Sequence, residues 1–438
     1  MGFSKVRFRD LPPPITKGAQ HVEAVEVATV QGRVHPRLWI VDTVAEVPSR
    51  LHARQGIEVA AVASATAATS TTHPTAFALA RNSNKKEDKM HSIDFLPVEN
   101  LDGSSTKSGD AIVLNFTVPN TNAKAVVVVD GGYTATGDKV VEHVTKYCGT
   151  DVVDLMICTH PDNDHLNGLI SIMEQCDVRE LMMHLPWNYS SRASELGNYE
   201  NMRKLYDLAV KKDVKITQPF TGESRLNGAI SIMGPTELRY IDLLDQAIQE
   251  SVDGTAEARH SSAVMGSVLL TKAKNLLERA ISALPFETLT DGDDTGPRNH
   301  MSAITLLTID NKRHLLTGDA GMSSLEGAAD YYEATIGSFG SYPLTLFQAP
   351  HHGSKRNVGP TILNRILGAP GADFGTAVGY ISSARASEKH PSPKVVNAMI
   401  RRGVNVYVTE GQTICHGSWN NRPGWSPISP VPPLDEED

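Results

Sequence analysis

Cysteine is scarce in this chain of 438 residues, which has four, namely Cys148, Cys158, Cys176 and Cys415. No two of them form a Cys-x-x-Cys pair, and this argues against a structural zinc knuckle. Four cysteines in so long a chain also cannot form the disulfide framework of a small secreted domain. We therefore expect reduced thiols and a cytoplasmic protein.

Long apolar runs are missing as well. The best candidates, Val126–Val129 and the Ala-rich patch Val59–Ala68, are too short or too polar to supply the roughly 20 residues that span a bilayer. The segment Met1–Pro14 mixes charges with prolines and has no apolar core of a signal peptide. The sequence therefore predicts a protein that does not associate with membranes.

An excess of positive charge is absent too, because 41 Lys and Arg stand against 50 Asp and Glu, for a net charge of −9. General binding of polyanions is excluded, although a local basic patch could still contact nucleic acid. Aromatic residues make up 6% of the chain, which leaves few platforms for stacking single-stranded bases. The 40% of hydrophobic and 21% of charged residues are ordinary for a globular protein.

The texture of the sequence changes near residue 90. Residues 1–89 show little sustained periodicity and include the charged run Arg81–Lys89, so we predict a weakly ordered N-terminal extension or a small appended unit. From residue 90 to 418, predicted strands and helices alternate, among them the strand Ala111–Val118 and the helices Tyr199–Lys211 and Pro393–Arg401. This alternation favours an α/β layered domain. A helical pattern at about 236–284 indicates an insertion, and residues 419–438 form a Pro- and acid-rich tail.

The most informative segment is Thr159–His165, with the sequence THPDNDH, between the predicted strand Val152–Cys158 and the predicted helix Asp164–Gln175. It offers four potential metal ligands within six residues, and imidazoles combined with carboxylates suit zinc, manganese or iron. Pro161 keeps the preceding His160 out of helical geometry. Asp164 also has a plainer interpretation, as the N-cap of the helix.

Further acids and histidines follow other predicted strands or their loops. They are Asp319, the pair His351-His352, and His390. Each of these alone fits an ordinary turn, surface or core residue. Enzymes with α/β layers place their sites where strands end, however, so the combination of these fragments in one chain predicts a shared site.

Taken in order, the fragments resemble the metallo-β-lactamase fold superfamily, which is marked by a His-x-(His/Asp)-x-Asp-His loop, a later Gly-Asp and later histidines. More narrowly, they resemble the soluble domain of the competence protein ComEC. The segments that carry this narrower resemblance are His160–His165, Leu316–Asp319, His351–Ser354, His390-Pro391, Phe95–Asn100, Gly109–Ala111, Asp130–Gly132 and Asn299–Ser302. The resemblance covers residues 90–418 apart from the insertion, and it implies a four-layer αββα sandwich with a metallo-β-lactamase-like catalytic domain.

The resemblance also implies two divalent metal ions, Zn²⁺ or Mn²⁺. The metal ligands that it implies are His160, Asp162, Asp164, His165, Asp319, His352 and His390, with Asp319 as the bridging carboxylate. Asp162 stands where many members of the superfamily have a second histidine, and its harder oxygen favours a metal such as manganese. One of the two ions would be bound by residues of the His160–His165 loop, and its third ligand is not identified by the motif. His184 is one candidate for that ligand, and the alternative is that His184 is an ordinary strand histidine.

Two such ions would lower the pKa of a shared water molecule and neutralise charge on an attacked phosphoryl or carbonyl oxygen. We assign catalytic roles to Asp164, His351 and His352. We assign substrate binding to Ser354, Lys355 and Arg356, for which a solvated loop is the alternative.

These features predict a metal-dependent hydrolase, foremost a phosphodiesterase or nuclease whose partner is nucleic acid. One alternative is a hydrolase of a small molecule such as a cyclic nucleotide, lactone or thioester. Another is a binding protein with a degenerate, non-catalytic site.

Overall fold

The computed structural model describes residues 29–30, 33–34, 91–99, 107–258, 286–292, 294–372, 374–418 and 422–436. The chain divides into two compact units, Met1–Arg81 and Asn82–Asp438. In the first unit, strands β1 (Thr29–Val30) and β2 (Arg33–Val34) pair antiparallel. The rest of the predicted N-terminal extension lies outside the described residues, as does the predicted insertion from residue 259 onwards.

The second unit contains two large mixed sheets. In chain order its described strands are β3 (His91–Phe95), β4 (Ala111–Thr117), β5 (Lys124–Gly131), β6 (Val152–Val153), β7 (Leu155–Ile157), β8 (Asp177–Val178), β9 (Glu180–Met182), β10 (Lys215–Thr217), β11 (Ser224–Arg225), β12 (Ile230–Gly234), β13 (Ile304–Ile309), β14 (Lys312–Leu316), β15 (Leu346–Gln348), β16 (Val378–Ile381), β17 (Asn405–Val408) and β18 (Ile414–Gly417). The first sheet has the strand order β10-β9-β7-β5-β4-β3-β18, and the second has the order β11-β12-β13-β14-β15-β16-β17. Strands β5, β7, β9 and β10 run parallel, and so do β14 to β17.

Helices cover both sheets. They are α1 (Thr134–His143), α2 (Asn163–Gln175), α3 (Tyr199–Lys211), α4 (Glu237–Ala258), α5 (Pro297–His300), α6 (Met322–Thr335), α7 (Pro360–Leu367) and α8 (Pro393–Arg401). In the part of the chain that the structure describes, no helix combines the length and the apolar character needed to cross a bilayer.

The layering follows from the two faces of each strand. On β4, Val113 packs into the core shared with α1 to α4, whereas its neighbours Ile112 and Leu114 pack between the two sheets. Residues of α6, α7 and α8 form a third core on the outer face of the second sheet. Between the sheets, Phe95 of β3 stacks on Tyr380 of β16 with ring centroids 4.8 Å apart. The predicted four-layer αββα sandwich is confirmed.

Most predicted elements lie within a few residues of the observed ones, and Tyr199–Lys211 and Pro393–Arg401 match at both ends. The prediction of one strand over Val152–Cys158 is wrong, because the segment divides into β6 and β7. Asp154 separates them: its backbone N–H donates to the Val126 carbonyl, and its carboxylate accepts the Val126 N–H, both at 2.9 Å.

Two segments predicted outside the main alternation pack on the domain. Helix α4 begins the predicted insertion, yet Tyr240, Leu243 and Ala247 are buried in the core beside the first sheet. In the predicted tail, the side chain of Arg422 is buried, and Leu434 packs against the outer core of the second sheet. Both segments therefore contribute to the packing of the domain.

Candidate metal centre

The polar side chains of the candidate centre come from the ends of strands in both sheets. Asp130 lies at the end of β5, and His160 follows β7 just before α2. Asp319 follows β14, and the pair His351-His352 follows β15. Because parallel strands of a sheet end at a common edge, these side chains meet there.

Asp319 is at the middle of the cluster and is 2% exposed. Its Oδ1 lies 3.3 Å from His165 Nε2. Its Oδ2 lies 3.6 Å from both His160 Nε2 and His351 Nδ1. The two carboxylate oxygens therefore face different histidines. A carboxylate that is to bridge two metal ions needs such an arrangement.

The remaining predicted ligands extend the cluster on either side of Asp319. On one side, Asp164, His165 and His352 offer ligand atoms that all lie within 4.8 Å of one another, and Asp164 Oδ2 is 3.6 Å from His352 Nε2. On the other side, Asp162 Oδ2 is 3.9 Å from His160 Nε2. Asp162, and not Asp164, occupies the N-cap position of α2, and its side chain makes no capping hydrogen bond.

The ring tautomers of His160 and His165 are set by hydrogen bonds behind them. Thr159 Oγ1 donates to Asp130 Oδ2 at 2.6 Å, so it is available to accept the Nδ1–H of His160 at 3.0 Å. His165 Nδ1–H donates to the same carboxylate at 2.7 Å. In their neutral form, which is the form of imidazole that binds a metal, both rings therefore turn an unprotonated Nε2 towards Asp319.

The residues present fit bound cations. Among the described residues, the following buried atoms have no hydrogen-bond partner: His160 Nε2, His165 Nε2, Asp319 Oδ1, and both ring nitrogens of His352. Leaving one such group buried and unpaired costs about 1–3 kcal/mol. Asp164, His165 and His352 offer ligand atoms within 4.8 Å of one another, and so do Asp319, His351 and His352. A cation would therefore satisfy several of these atoms together, so the cluster could hold metal.

The charges of the cluster are strongly coupled. Burial lowers the pKa of His165, but the carboxylates of Asp319 and Asp130 outweigh burial and raise that pKa well above its ordinary value. Burial raises the pKa of Asp164, but His352 and His165 outweigh it and bring the pKa down to about 2. Histidines likewise hold the pKa of Asp319 well below its ordinary value, against the effect of burial. The carboxylates therefore stay ionised, as metal ligands must.

Asp110 and Asp130 belong to the centre, although the sequence analysis assigned them no role there. Asp110 is buried with its Oδ2 4.0 Å from His165 Nδ1, and it accepts a hydrogen bond from Gln348 Nε2 at 2.9 Å. Burial raises the pKa of Asp110, partly offset by His352 and His165. The signal for Asp130 was visible in the sequence, because an acid that ends a β-branched strand is the same feature that identified Asp319.

The backbone after β15 is unusual and aims two histidines at the centre. His351, His352 and Gly353 all have left-handed φ values, of 48°, 57° and 80°. Such strain in side-chain-bearing residues concentrates at functional sites. A Cβ on Gly353 would lie 2.9 Å from the Pro391 Cβ, so its absence lets this turn approach the loop that carries His390.

His390 joins the edge of the cluster. Its ring centroid is 5.6 Å from that of His351 and 6.1 Å from that of His352. His184 lies apart, in a small pocket that it shares with His160 and Met301, and it stacks on Tyr240 at 4.2 Å. Burial lowers the pKa of His184 to about 3. Both interpretations of His184, ligand and strand histidine, stay open.

The predicted substrate-binding residues lie in the turn after His352. Ser354 is buried, and its Oγ accepts the Arg356 N–H at 3.2 Å. Lys355 and Arg356 are exposed, and an Arg356 guanidinium N–H donates to the Asp294 carbonyl at 3.0 Å. Their role in binding a substrate stays a prediction.

Comparison with known proteins gave a family match and distant likenesses to several solved structures. A sequence search of curated proteins found no match. A HARLDQ-motif mutant of a metallo-beta-lactamase from Cronobacter sakazakii is similar over 29% of this chain and 47% of its own, with 12% identity and a TM-score of 0.20. A long form of RNase Z from yeast is similar over 69% of this chain and 38% of its own, with 11% identity and a TM-score of 0.33. This chain therefore spans less than half the length of either structure.

The family comparison concerns the part of the chain that contains the His160–His165 loop. Residues 112–241 match the sequence model of the Metallo-beta-lactamase superfamily. They include β4, β5, α1 and α2, which lie on the first-sheet side of the centre. Over these residues the chain is therefore similar to the metallo-beta-lactamase superfamily.

Proposed function

We propose that this protein is a metal-dependent hydrolase, and specifically a phosphodiesterase or nuclease with a pair of divalent ions, Zn²⁺ or Mn²⁺. The observation that carries the proposal is the convergence of buried, unpartnered donor atoms from both sheets around Asp319. His160, Asp162, Asp164, His165, Asp319, His352 and His390 would hold the ions. The ordered motifs of these residues also support the narrower likeness to the competence-protein branch.

Bound divalent ions would lower the pKa of a water molecule and stabilise negative charge on an attacked phosphoryl oxygen. Around them, His351 is suited to donate a hydrogen bond to the reacting group. Asn299 Nδ2–H donates to His351 Nδ1 at 2.7 Å, so the neutral ring carries its own proton on Nε2. Burial lowers the pKa of His351 below its ordinary value, which favours this neutral form. His351 can therefore donate a hydrogen bond from its Nε2–H to a leaving-group oxygen.

A phosphodiester suits the surroundings of the centre better than a neutral ester. Arg298, Lys355 and Arg356 lie beside it and carry exposed or partly exposed cationic groups. Guanidinium groups bind phosphate oxygens in pairs of hydrogen bonds. The second candidate is a hydrolase of a small molecule such as a cyclic nucleotide, lactone or thioester, which the net charge of −9 and the 6% of aromatic residues favour.

A substrate panel on defined metal forms tests the proposal. Chelator-treated protein is reloaded with Zn²⁺ or Mn²⁺, its metal content is measured, and it is assayed with labelled single-stranded DNA, duplex DNA, RNA, bis(p-nitrophenyl) phosphate, a lactone and a thioester. We expect cleavage of phosphodiesters that metal restores and that Asp319→Asn abolishes. Asp138→Asn serves as control, because its carboxylate is exposed and accepts hydrogen bonds from Ser171 and Gln175. The proposal is refuted if the chelator-treated protein takes up no metal, or if the metal-loaded protein cleaves no phosphodiester.

A further inference from the structure

Arg298 stands at the mouth of the candidate centre with its guanidinium beside a predicted metal ligand. It is the second residue of α5, and its Nη1 lies 3.2 Å from Asp162 Oδ1. The other oxygen of Asp162 lies 3.9 Å from His160 Nε2. Asp162 is thus positioned between the histidine cluster and the arginine, and it can serve one cation or the other.

The position of the guanidinium is set by its surroundings. Pro297 at the start of α5 is buried, which anchors the helix on the domain. On the far side, Gly197 makes room for the arginine, since a Cβ there would lie 2.7 Å from Arg298 Nη1. The Gly197 N–H in turn donates to Ser251 Oγ of α4 at 3.1 Å. The backbone at Gly197, which is hydrogen-bonded to α4, therefore packs closely against the Arg298 guanidinium. This contact and the anchored helix α5 place the guanidinium beside Asp162.

The pairing with Asp162 leaves most of the guanidinium available. The group is always charged and has five N–H donors, and the Arg298 side chain is 36% exposed. Within the described residues, Asp162 is the carboxylate that lies within 4.0 Å of this guanidinium. When Asp162 binds a metal ion, its negative charge is neutralised by that ion. The Arg298 guanidinium is then a cation at the mouth of the centre that no longer pairs with Asp162.

We propose that Arg298 binds a non-bridging phosphoryl oxygen of the substrate, and that Asp162 couples this binding to metal occupancy. In the metal-free protein, Asp162 holds the guanidinium. In the loaded protein, Asp162 releases the guanidinium to the phosphate, so metal and phosphate strengthen each other's binding. This inference rests on the proposed phosphodiesterase function, and it assigns Arg298 as the residue that binds the phosphate group of the substrate.

Binding measurements separate this role from a structural one. The probes are Mn²⁺ alone, and inorganic phosphate with and without Mn²⁺, titrated by calorimetry into the full chain. The variants are Arg298→Met, which removes the charge, and Arg298→Lys, which keeps the charge but loses the planar fork. The control is Arg192→Met, because Arg192 is 51% exposed and pairs with Glu195 at 2.7 Å.

We expect phosphate to bind wild-type protein more tightly when Mn²⁺ is present. Arg298→Met should weaken that binding at least tenfold and raise KM for bis(p-nitrophenyl) phosphate more than it lowers kcat. Its affinity for Mn²⁺ should be unchanged or higher, because Asp162 no longer has a competing partner. Arg298→Lys should lie between, and Arg192→Met should match the wild type.

Gly197→Ala gives a second route to the same question, because it pushes the guanidinium aside and keeps the arginine in the chain. Phosphate affinity should fall in this variant too. The inference is overturned if both variants bind phosphate like wild type, or if Arg298→Met loses Mn²⁺ and phosphate together. If wild-type protein with Mn²⁺ neither binds phosphate nor cleaves a phosphodiester, the proposed function fails as well.

Discussion

At the scale of single residues, the candidate centre depends on one carboxylate behind the histidines as much as on the acids among them. Asp130 accepts hydrogen bonds from the Thr159 N–H, the Thr159 hydroxyl and His165 Nδ1. Through Thr159 it also orients His160. A single buried group thus determines which nitrogen two potential ligands present.

Asp130→Asn isolates this effect. Asparagine tolerates the left-handed backbone at φ 56° and has the size of aspartate, but it lacks the charge that holds the Nδ1–H of His165. We expect metal affinity to fall about 10–100-fold, the usual cost of removing a partner of a ligating histidine. Calorimetric titration with Zn²⁺ or Mn²⁺ measures it, with Asp138→Asn as control. Equal affinities for the two variants would contradict this role of Asp130.

At the scale of secondary structure elements, helix α2 approaches strand β5 with no side chain between them. A Cβ on Gly168 would lie 1.8 Å from the Gly131 carbonyl oxygen, and a Cβ on Gly131 would lie 2.5 Å from the Leu169 nitrogen. The contact matters for the centre, because α2 carries Asp164 and His165 and β5 carries Asp130.

Gly168→Ala should therefore destabilise the domain and loosen the centre. Overpacking costs about 1–3 kcal/mol and occasionally more, and here the obstacle is backbone, which cannot rotate away. Urea unfolding and metal titration check both effects. Gly327→Ala on α6 is the matched control: a Cβ there meets nothing within 4 Å, so the higher helix propensity of alanine should stabilise by up to about 1 kcal/mol. Similar losses in both variants would argue against the close contact as the cause.

The C-terminal segment is attached to the first sheet by a buried ion pair. Arg422 donates from Nη1 and Nη2 to the two oxygens of Asp94, each at 2.9 Å, and from Nη2 to Ser92 Oγ at 2.8 Å. His143 of α1 lies 3.1 Å from the same carboxylate. Burial raises the pKa of Asp94, but His143 and Arg422 outweigh it and lower the pKa below its ordinary value.

Arg422→Met should lower the free energy of unfolding by about 3–5 kcal/mol, because it leaves a buried carboxylate without the guanidinium that binds both of its oxygens. Removing an exposed pair, as in Arg192→Met, should have a much smaller effect. Chemical denaturation of both variants measures the difference. If Arg422→Met costs no more than its control, the segment is not held by this pair.

At the scale of the whole molecule, three histidines meet where the two sheets pack together. His314 of β14 has its ring centroid 5.7 Å from that of His91 on β3 and 5.4 Å from that of His416 on β18. Burial lowers the pKa of His314 well below 6.5, and the neighbouring His416, His91 and Lys312 lower it further. Burial also lowers the pKa of His416, to about 4, with His91 and Lys312 adding to the effect.

The sign of the pH dependence follows from these shifts. In the unfolded chain, His314 and His416 take up protons below about pH 6.5. In the folded protein His416 stays neutral until about pH 4, and the pKa of His314 is likewise well below 6.5. Their contribution to stability is therefore present above pH 6.5 and is lost as the pH falls from 6.5 towards 4.

Replacing both residues, in His314→Gln/His416→Gln, should flatten this dependence. Since one unit of a pKa shift corresponds to about 1.4 kcal/mol, the shift of His416 alone leads us to expect that the variant loses at least about 3 kcal/mol less than wild type over that range. Urea unfolding in the presence of a chelator, at several pH values, checks it. Parallel curves for the two proteins would show that the pair does not titrate on unfolding.

Many of the strands and helices could be predicted, because they depend on the local pattern of apolar and polar residues. The segment Ala111–Val118 was predicted as a strand and forms one over Ala111–Thr117, and the helix Tyr199–Lys211 was predicted at both ends. Helix α6 was missed because its buried face is built largely from Ala328, Ala329 and Ser324, whose small side chains give a weak periodic signal. Strand β18 was missed because its four residues become a strand only by pairing with β3, far away in the chain.

For the candidate centre, residue type and position after predicted strands or loops were enough to identify the His160–His165 loop, Asp319, His351, His352 and His390. The contacts between these groups, and the places of Asp110 and Asp130 among them, depend on how the chain folds. The Gln348 amide reaches Asp110 across 238 positions of chain, and Arg298 reaches Asp162 from a four-residue helix. Such pairings carry no local periodicity, because they arise where strand ends of two packed sheets converge.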